Sequence, residues 1–149
     1  MKTKVNEISI KYRGNFKLSQ APKITSSVSA AELLFESWNK DRIGIQECFK
    51  VLLLNNANKV KGIFEVSTGG ITGAMVDLRI VFAVILKSLT TSVILAHNHP
   101  SGTLKPSESD KRLTEKIKSA AILLDIKILD HLILTPDGEY YSFADEGIL

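Results

Sequence analysis

Hydrophobic positions along the chain change their period several times, and each change predicts a new element. Continuous apolar runs predict buried strands, whereas apolar residues three and four positions apart predict helices. Four stretches have the pattern of strands: QECFKVLLLNN (46–56), VKGIFEVSTGG (60–70), TSVILAHNH (91–99) and IKILDHLILT (126–135). A short EYYSF segment (139–143), which follows a Pro-Asp-Gly turn, predicts a last strand.

Three other stretches predict helices. SAAELLFESWNK (29–40) opens with Ser29 and Glu32 at capping-box spacing. LRIVFAVILKSL (78–89) is apolar on most faces and predicts a buried helix. Its β-branched residues make a strand the alternative prediction. SESDKRLTEKIKSAAILL (107–124) has apolar residues at helical spacing. Because the first two strands predict a hairpin and later strands are joined by a helix, we expect one α/β domain with a mixed sheet.

Length and composition restrict the class of protein. A chain of 149 residues with 44% hydrophobic and 23% charged residues is typical of one globular domain. No apolar run approaches the roughly 18 residues that span a bilayer, and the N-terminus lacks the apolar centre of a signal peptide. The single cysteine, Cys48, excludes an internal disulfide. We therefore expect a cytoplasmic protein that does not associate with membranes.

The net charge of +3 is unevenly distributed. Residues 1–23 hold six of the 19 basic residues and one of the 16 acidic ones, so the rest of the chain carries a charge near −2. A basic N-terminal arm could bind nucleic acid. However, Ile8, Ile10 and Tyr12 alternate with polar residues, which favours a half-buried edge strand. Binding to nucleic acid is the less favoured interpretation of this segment.

Two of the three histidines, His97 and His99, lie one residue apart directly before a Pro-Ser-Gly turn. Residues alternate faces on a strand, so both imidazoles point to one side and Asn98 points to the other. Two imidazoles on one face can direct nitrogens at one ion, and a catalytic zinc takes about three protein ligands plus a water. Asp110, in the first turn of the next predicted helix, could supply the third ligand.

Ser107 and Asp110 also have a simpler interpretation. A serine at the start of a helix followed three residues later by an acidic residue is typical of a helix cap, where the anion also offsets the helix dipole. The two interpretations are compatible, because a capping carboxylate still has an oxygen to offer to a metal ion.

The segment HNHPSGTLKPSESD (97–110) resembles the JAMM (JAB1/MPN/Mov34) metalloprotease motif, in which His-x-His-Pro is followed after six residues by Ser-x-x-Asp. Three neighbouring stretches are similar to the RadC-type JAMM domain: QECFKVLLLNNANKV, STGGITGAMVDLRIVF and LDIKILDHLILTPDGEYYSFADEGIL. The resemblance runs from about residue 28 to the C-terminus. It implies a cytidine deaminase-like α/β fold, with a mixed sheet flanked by helices, over residues 28–149 after an N-terminal segment 1–27.

The resemblance also implies roles for individual residues. It makes His97, His99 and Asp110 the ligands of Zn²⁺, Glu47 the catalytic general base and Ser107 the hydroxyl that helps to stabilise the oxyanion. Zinc would acidify a bound water, and a carboxylate outside the metal's ligand set would take its proton.

Two points remain open from the residues themselves. Spacing alone does not favour Glu47 over Glu65 on the neighbouring strand. His131 is either a partner of a metal ligand or a buried histidine without a catalytic part, and the second interpretation is favoured.

The function that the resemblance implies is a zinc-dependent peptidase or isopeptidase. Longer RadC relatives carry an additional region that resembles a helix-hairpin-helix DNA-binding module, and the 27 residues before the JAMM-like part are too few for it. A DNA-repair accessory protein is one alternative, and a JAMM module that binds partners without catalysis is the other. The four residues His97, His99, Asp110 and Glu47 together argue against the second alternative. The sequence leaves the substrate and the oligomeric state open.

Overall fold

A computed structural model describes residues 4–9, 11–69 and 75–149 of the chain. Residues 70–74, within the quoted stretch STGGITGAMVDLRIVF, lie outside the described residues. A short 3₁₀ turn, Leu18–Gln20, precedes three helices and five strands in the described residues. In chain order these are α1 (Ser27–Ser37), β1 (Cys48–Leu54), β2 (Val60–Thr68), α2 (Leu78–Lys87), β3 (Ser92–Asn98), α3 (Glu108–Leu123), β4 (Lys127–Leu134) and β5 (Tyr140–Ser142).

The strands form one open mixed sheet in the order β2-β1-β3-β4-β5. The predicted hairpin is confirmed, since β1 pairs antiparallel with β2, and β1 also pairs antiparallel with β3. The pairing of β3 with β4 is parallel, as expected for two strands joined by the α3 crossover, and β5 is antiparallel to β4. The prediction of a mixed α/β fold flanked by helices is therefore confirmed.

Helices cover both faces of the sheet. On one face, α1 packs Ala31 and Leu34 against even-numbered β1 residues such as Leu52. On the other, α2 and α3 pack buried residues, Ile85 and Ile117 among them, against the odd-numbered residues of β1. The two central strands β1 and β3 are buried along their whole length, which explains their almost uninterrupted apolar sequence. The candidate site lies at the end of β3, on the face that α2 and α3 cover.

Two predicted helices differ in detail from the structure. Helix α1 begins at Ser27, because the capping box is formed by Ser26 and Ser29 and not by Ser29 and Glu32. Helix α2 is a helix, as favoured, but it is buried on one face only: Val81 and Ile85 are fully buried, whereas Ile80 and Leu86 are about half exposed. A helix on the outside of a three-layer fold has only the sheet to pack against, so its other apolar side chains stay at the surface.

The predicted edge strand near the N-terminus is not formed by the described residues of that segment. No strand lies within residues 4–9 and 11–17, and the Ile8 side chain is 89% exposed. Tyr12 lies against the side chain of Lys61 on β2, with the ammonium 4.6 Å from the ring centre, and is still exposed. Strand formation depends on tertiary context more than on alternation, and these residues form no ladder with β2, the edge strand of the sheet. Ile10 lies outside the described residues.

None of the helices in the described parts of the chain combines the length and hydropathy that crossing a bilayer requires.

Candidate metal centre

The end of β3 brings the two predicted histidine ligands together. His97 and His99 point to the same face, and their Nε2 atoms are 3.0 Å apart. His97 is almost fully buried and its ring stacks on that of Phe49 of β1, which fixes the plane of the imidazole. His99 is partly exposed and donates from Nδ1 to the carbonyl of Thr103, 2.7 Å away. That contact leaves Nε2 of His99 as the nitrogen with a free lone pair.

The turn after His99 returns the chain to the same end of the sheet. The His99 amide donates to the carbonyl of Leu134 on β4 and so continues the β3–β4 ladder. The His99 carbonyl accepts a hydrogen bond from the amide of Gly102. Gly102 has φ of 82°, a left-handed conformation that favours glycine. This tight reversal carries the chain into α3 with the start of the helix facing the histidines.

Asp110 reaches the histidines from the first turn of α3. The predicted cap is present, because Ser107 Oγ accepts from the Asp110 amide at 3.0 Å and Asp110 Oδ2 accepts from the Ser107 amide at 2.8 Å. The same Oδ2 atom lies 3.4 Å from Nε2 of both His97 and His99. Burial raises the pKa of Asp110, but the proximity of the two histidines, together with the hydrogen bond from the Ser107 amide, outweighs this effect and holds the pKa far below the usual range. Asp110 is therefore an anion that serves as a cap and also faces the histidines.

Glu47, the residue just before β1, completes the group. Because Phe49 pairs with His97 in the antiparallel register, continuing that register by two residues brings Glu47 opposite His99. Potential ligand atoms of Glu47, His97, His99 and Asp110 all lie within 4.8 Å of one another. Burial raises the pKa of Glu47, and this effect outweighs the opposing attraction of the two histidines. A carboxylate with a raised pKa is suited to accepting a proton and releasing it again.

The spacing of these atoms fits a metal ion. Ligand atoms bound tetrahedrally to zinc at bond lengths of 2.0–2.1 Å would lie about 3.3 Å from one another. The two Nε2 atoms and Asp110 Oδ2 form a triangle with sides of 3.0, 3.4 and 3.4 Å. Three lone pairs that converge this closely repel one another unless a cation or a proton lies between them. The donor set and its geometry can therefore hold a metal ion.

Glu65, the alternative to Glu47, does not belong to this group. It pairs with Lys50 in the β1–β2 ladder and accepts a hydrogen bond from Thr68, with the guanidinium of Arg42 at 3.8 Å. Lys50 alternates with Phe49 on β1, so these residues lie on the α1 face of the sheet. The structure thus places Glu47, and not Glu65, beside the histidines.

Asn98 is an important residue that sequence reasoning noted only as pointing away from the histidines. It is fully buried, its Oδ1 accepts from the Cys48 amide at 2.7 Å, and its Nδ2 donates to the carbonyls of Ile43 and Gln46 at 2.8 Å each. These bonds bracket Glu47 on both sides in sequence. Asn98 therefore ties the chain segment that carries Glu47 to the strand that carries the histidines.

His131 contacts a candidate ligand directly, which was the less favoured of its two interpretations. A register shift in the β3–β4 pairing skips Leu129, so that His131 lies beside Leu95 on the α3 face. Its Nε2 is 2.7 Å from Nδ1 of His97, and its Nδ1 is 2.6 Å from Oγ1 of Thr114 on α3. Complete burial, followed by the proximity of His97, lowers the pKa of His131 well below its usual value. The Thr114 contact was missed, although its position one helical turn after Asp110 was visible in the sequence.

The fold and the site define a class: an α/β domain in which a strand end and a helix start together present two histidines and two carboxylates that could bind a metal ion. Residues 24–148 match the family profile described as the RadC-like JAB domain. The chain therefore belongs to the family of RadC-like JAB domains, as the motif comparison implied.

Relatives of known sequence agree with this assignment. The chain is 57% identical over 102 residues to a UPF0758 protein of Flavobacterium johnsoniae, an alignment that covers 68% of this chain and 44% of that protein. It is 46% identical over 104 residues to a UPF0758 protein of Porphyromonas gingivalis, which covers 70% and 46% of the two chains. The chain thus spans about half the length of these relatives, whose names state no activity.

Proposed function

We propose that this domain is a zinc-dependent hydrolase of peptide or isopeptide bonds. The single observation that carries the proposal is the group formed by Glu47, His97, His99 and Asp110, in a chain that belongs to the RadC-like JAB family. Two nitrogens and one carboxylate oxygen are a ligand set that suits zinc and leaves a coordination position open. The chemistry that such an ion supplies is Lewis acidity, which brings the pKa of water down to about 7.

The residues of the chain divide the remaining work. His97, His99 and Asp110 would hold the ion through their Nε2 and Oδ2 atoms. A carboxylate oxygen of Glu47 takes a proton from the attacking water and then delivers it to the leaving amine, a role that its raised pKa favours. The hydroxyl oxygen of Ser107 accepts a hydrogen bond from the Asp110 amide. The hydroxyl hydrogen of Ser107 is therefore available to donate to a developing oxyanion.

The proposed compartment is the cytoplasm. Cys48, the one cysteine of the chain, is buried and forms no disulfide, which is the usual state in a reducing environment.

The test compares two glutamate variants in one cleavage assay. Zinc-reconstituted wild-type protein is incubated with a complex peptide mixture and with isopeptide-linked lysine substrates, and products are identified by mass spectrometry. Glu47→Gln keeps the size of the side chain but cannot shuttle a proton, so turnover should fall roughly 100-fold or more while the zinc is retained. Glu65→Gln is the matched control on the α1 face and should cleave like wild type.

Three results would contradict the proposal. Wild-type protein that holds zinc but cleaves neither kind of substrate would favour a binding module over an enzyme. Equal cleavage by Glu47→Gln and wild type would remove Glu47 as the base. Loss of zinc from Glu47→Gln would make that residue a ligand and contradict the proposed mechanism.

A further inference from the structure

A continuous chain of hydrogen bonds connects the candidate ligand His97 to helix α3. It runs from Nδ1 of His97 to His131, from His131 to the hydroxyl of Thr114, and from Thr114 to the backbone carbonyl of Asp110. We propose that Thr114 and His131 are positioning residues that keep the proton of His97 on Nδ1, so that its Nε2 presents a lone pair to a metal ion. This inference rests on the proposed function, because it assumes that the group binds a metal.

The direction of the hydrogen bonds can be worked out from the fixed end of the chain. The Asp110 carbonyl oxygen can only accept, so the Thr114 hydroxyl, 2.8 Å away, donates to it. The only hydrogen of that hydroxyl is then used. Thr114 Oγ1 must therefore accept from His131, whose Nδ1 is 2.6 Å away and carries the proton.

The same reasoning continues to the metal site. A neutral imidazole has one N–H, so Nε2 of His131 is an acceptor once Nδ1 is protonated. Nε2 of His131 lies 2.7 Å from Nδ1 of His97, and His97 is therefore the donor in this pair. The lone pair of His97 is left on Nε2, the atom that faces His99 and Asp110.

The reverse order would disable the site. If the Thr114 hydroxyl donated to His131, the proton of His131 would move to Nε2 and that of His97 would also move to Nε2, where it would block a metal ion. The Thr114 oxygen and the Asp110 carbonyl would then face each other at 2.8 Å without a hydrogen between them. Such a close contact between two acceptor oxygens is unfavourable, and it selects the productive order.

Aromatic packing prevents the rings from escaping this arrangement by rotation. His131 is fully buried, stacks on Phe143 with ring centres 4.6 Å apart, and meets the edge of Phe49 at 5.7 Å. His99 has a separate arrangement, since a backbone carbonyl fixes its proton. Only His97 depends on a side-chain partner, so the effect of Thr114 and His131 should pass through that one ligand.

Two pairs of variants separate hydrogen bonding from packing. Thr114→Val replaces the hydroxyl by a methyl group of similar size, and Thr114→Ser keeps the hydroxyl. His131→Leu removes the acceptor for His97, whereas His131→Gln offers an amide oxygen near the position of Nε2. Groups that orient metal ligands typically contribute roughly 10- to 100-fold to metal affinity. We expect losses of that size for Thr114→Val and His131→Leu, and at least partial rescue in Thr114→Ser and His131→Gln.

The measurements are Zn²⁺ titrations against a competing chelator and the visible absorption of the Co²⁺-substituted protein, which reports the ligand geometry. A third readout is the tautomer in wild-type protein, from long-range ¹H–¹⁵N NMR spectra. The chain has only three histidines, so the spectrum is simple to assign. The expected result is a proton on Nδ1 of His131 and on Nδ1 of His97.

The outcomes distinguish this inference from the proposed function. A proton on Nε2 of His131 overturns the inference, whether or not the variants fold. Wild-type zinc affinity in a folded Thr114→Val protein also overturns it and leaves the metal site intact. Failure of wild-type protein to bind Zn²⁺, with the expected tautomers present, contradicts the proposed function alone.

Discussion

Replacing Asn98 should destabilise the protein more than its size suggests. The side chain of Asn98 is fully buried and makes three hydrogen bonds to the backbone of the segment that precedes and starts β1. In Asn98→Ala these backbone groups lose their partners, and each buried unsatisfied group costs about 1–3 kcal/mol. Because solvent reaches part of this segment, we take the lower end of that range and expect a loss of about 3 kcal/mol in the free energy of unfolding.

Urea-induced unfolding measures this loss. Trp38 is the single tryptophan and is buried against the sheet, so its fluorescence reports unfolding. The protein is compared after removal of metal, because a bound ion would add its own stabilisation. Asn56→Ala, at an exposed position in the β1–β2 turn, is the matched control and should change stability by no more than about 0.5 kcal/mol.

Asn98→Asp sharpens the test. The carboxylate can still accept from the Cys48 amide, but its second oxygen would face the carbonyls of Ile43 and Gln46. We expect a loss at neutral pH at least as large as that of Asn98→Ala, since a buried carboxylate against two acceptors is unfavourable. If Asn98→Ala and Asn56→Ala unfold at the same urea concentration, Asn98 does not hold the segment that carries Glu47.

Three further predictions concern the cap, the pH dependence of metal binding and nucleic acid. Ser107→Ala should lower the free energy of unfolding by about 1 kcal/mol through loss of the α3 cap. Ser109→Ala, at an exposed position, is the control and should leave the free energy of unfolding unchanged. Equal urea midpoints for the two variants would contradict this prediction. Burial lowers the pKa of His99, but the contacts with Asp110 and the Thr103 carbonyl and the negative charge of Glu47 together outweigh burial and raise this pKa above its usual value. Because protons compete with the ion, Zn²⁺ affinity from calorimetry should already fall as the pH drops toward 6.5, and affinity unchanged down to about pH 6 would refute this. The basic segment 1–23 should give only weak DNA binding without sequence preference, and fluorescence anisotropy that shows tight binding at physiological salt would favour the DNA-repair alternative.

The local pattern of apolar residues predicted most of the fold, because the apolar runs of the strands and the three-to-four-residue spacing of the helices are both clear in this chain. The run of apolar residues in β3 and the spacing in α3 identified both elements, and the hairpin followed from the turn between β1 and β2. Where the capping residues were ambiguous, the predicted start of the helix differed from the observed start. Ser26 and Ser29 lie three residues apart at the start of α1, and the sequence alone does not say which of them is the cap.

The candidate site was predictable only where its members lie close in sequence. His97, His99 and Asp110 fall within 14 residues and carry a recognisable spacing. The contacts of Asn98 and Thr114 join segments that the sequence separates, 55 residues for Asn98 with Ile43 and 17 for Thr114 with His131. Such contacts depend on strand order and register, which no local period encodes.

The most direct test of the account is the zinc content of the purified full chain after reconstitution and removal of loosely held metal. We predict about one zinc per chain for wild-type protein, and loss of most of it in His97→Ala, whose fold is checked by circular dichroism. A folded wild-type protein that retains no zinc, or a folded His97→Ala variant that retains as much as wild type, would contradict the central claim that this group is a metal site.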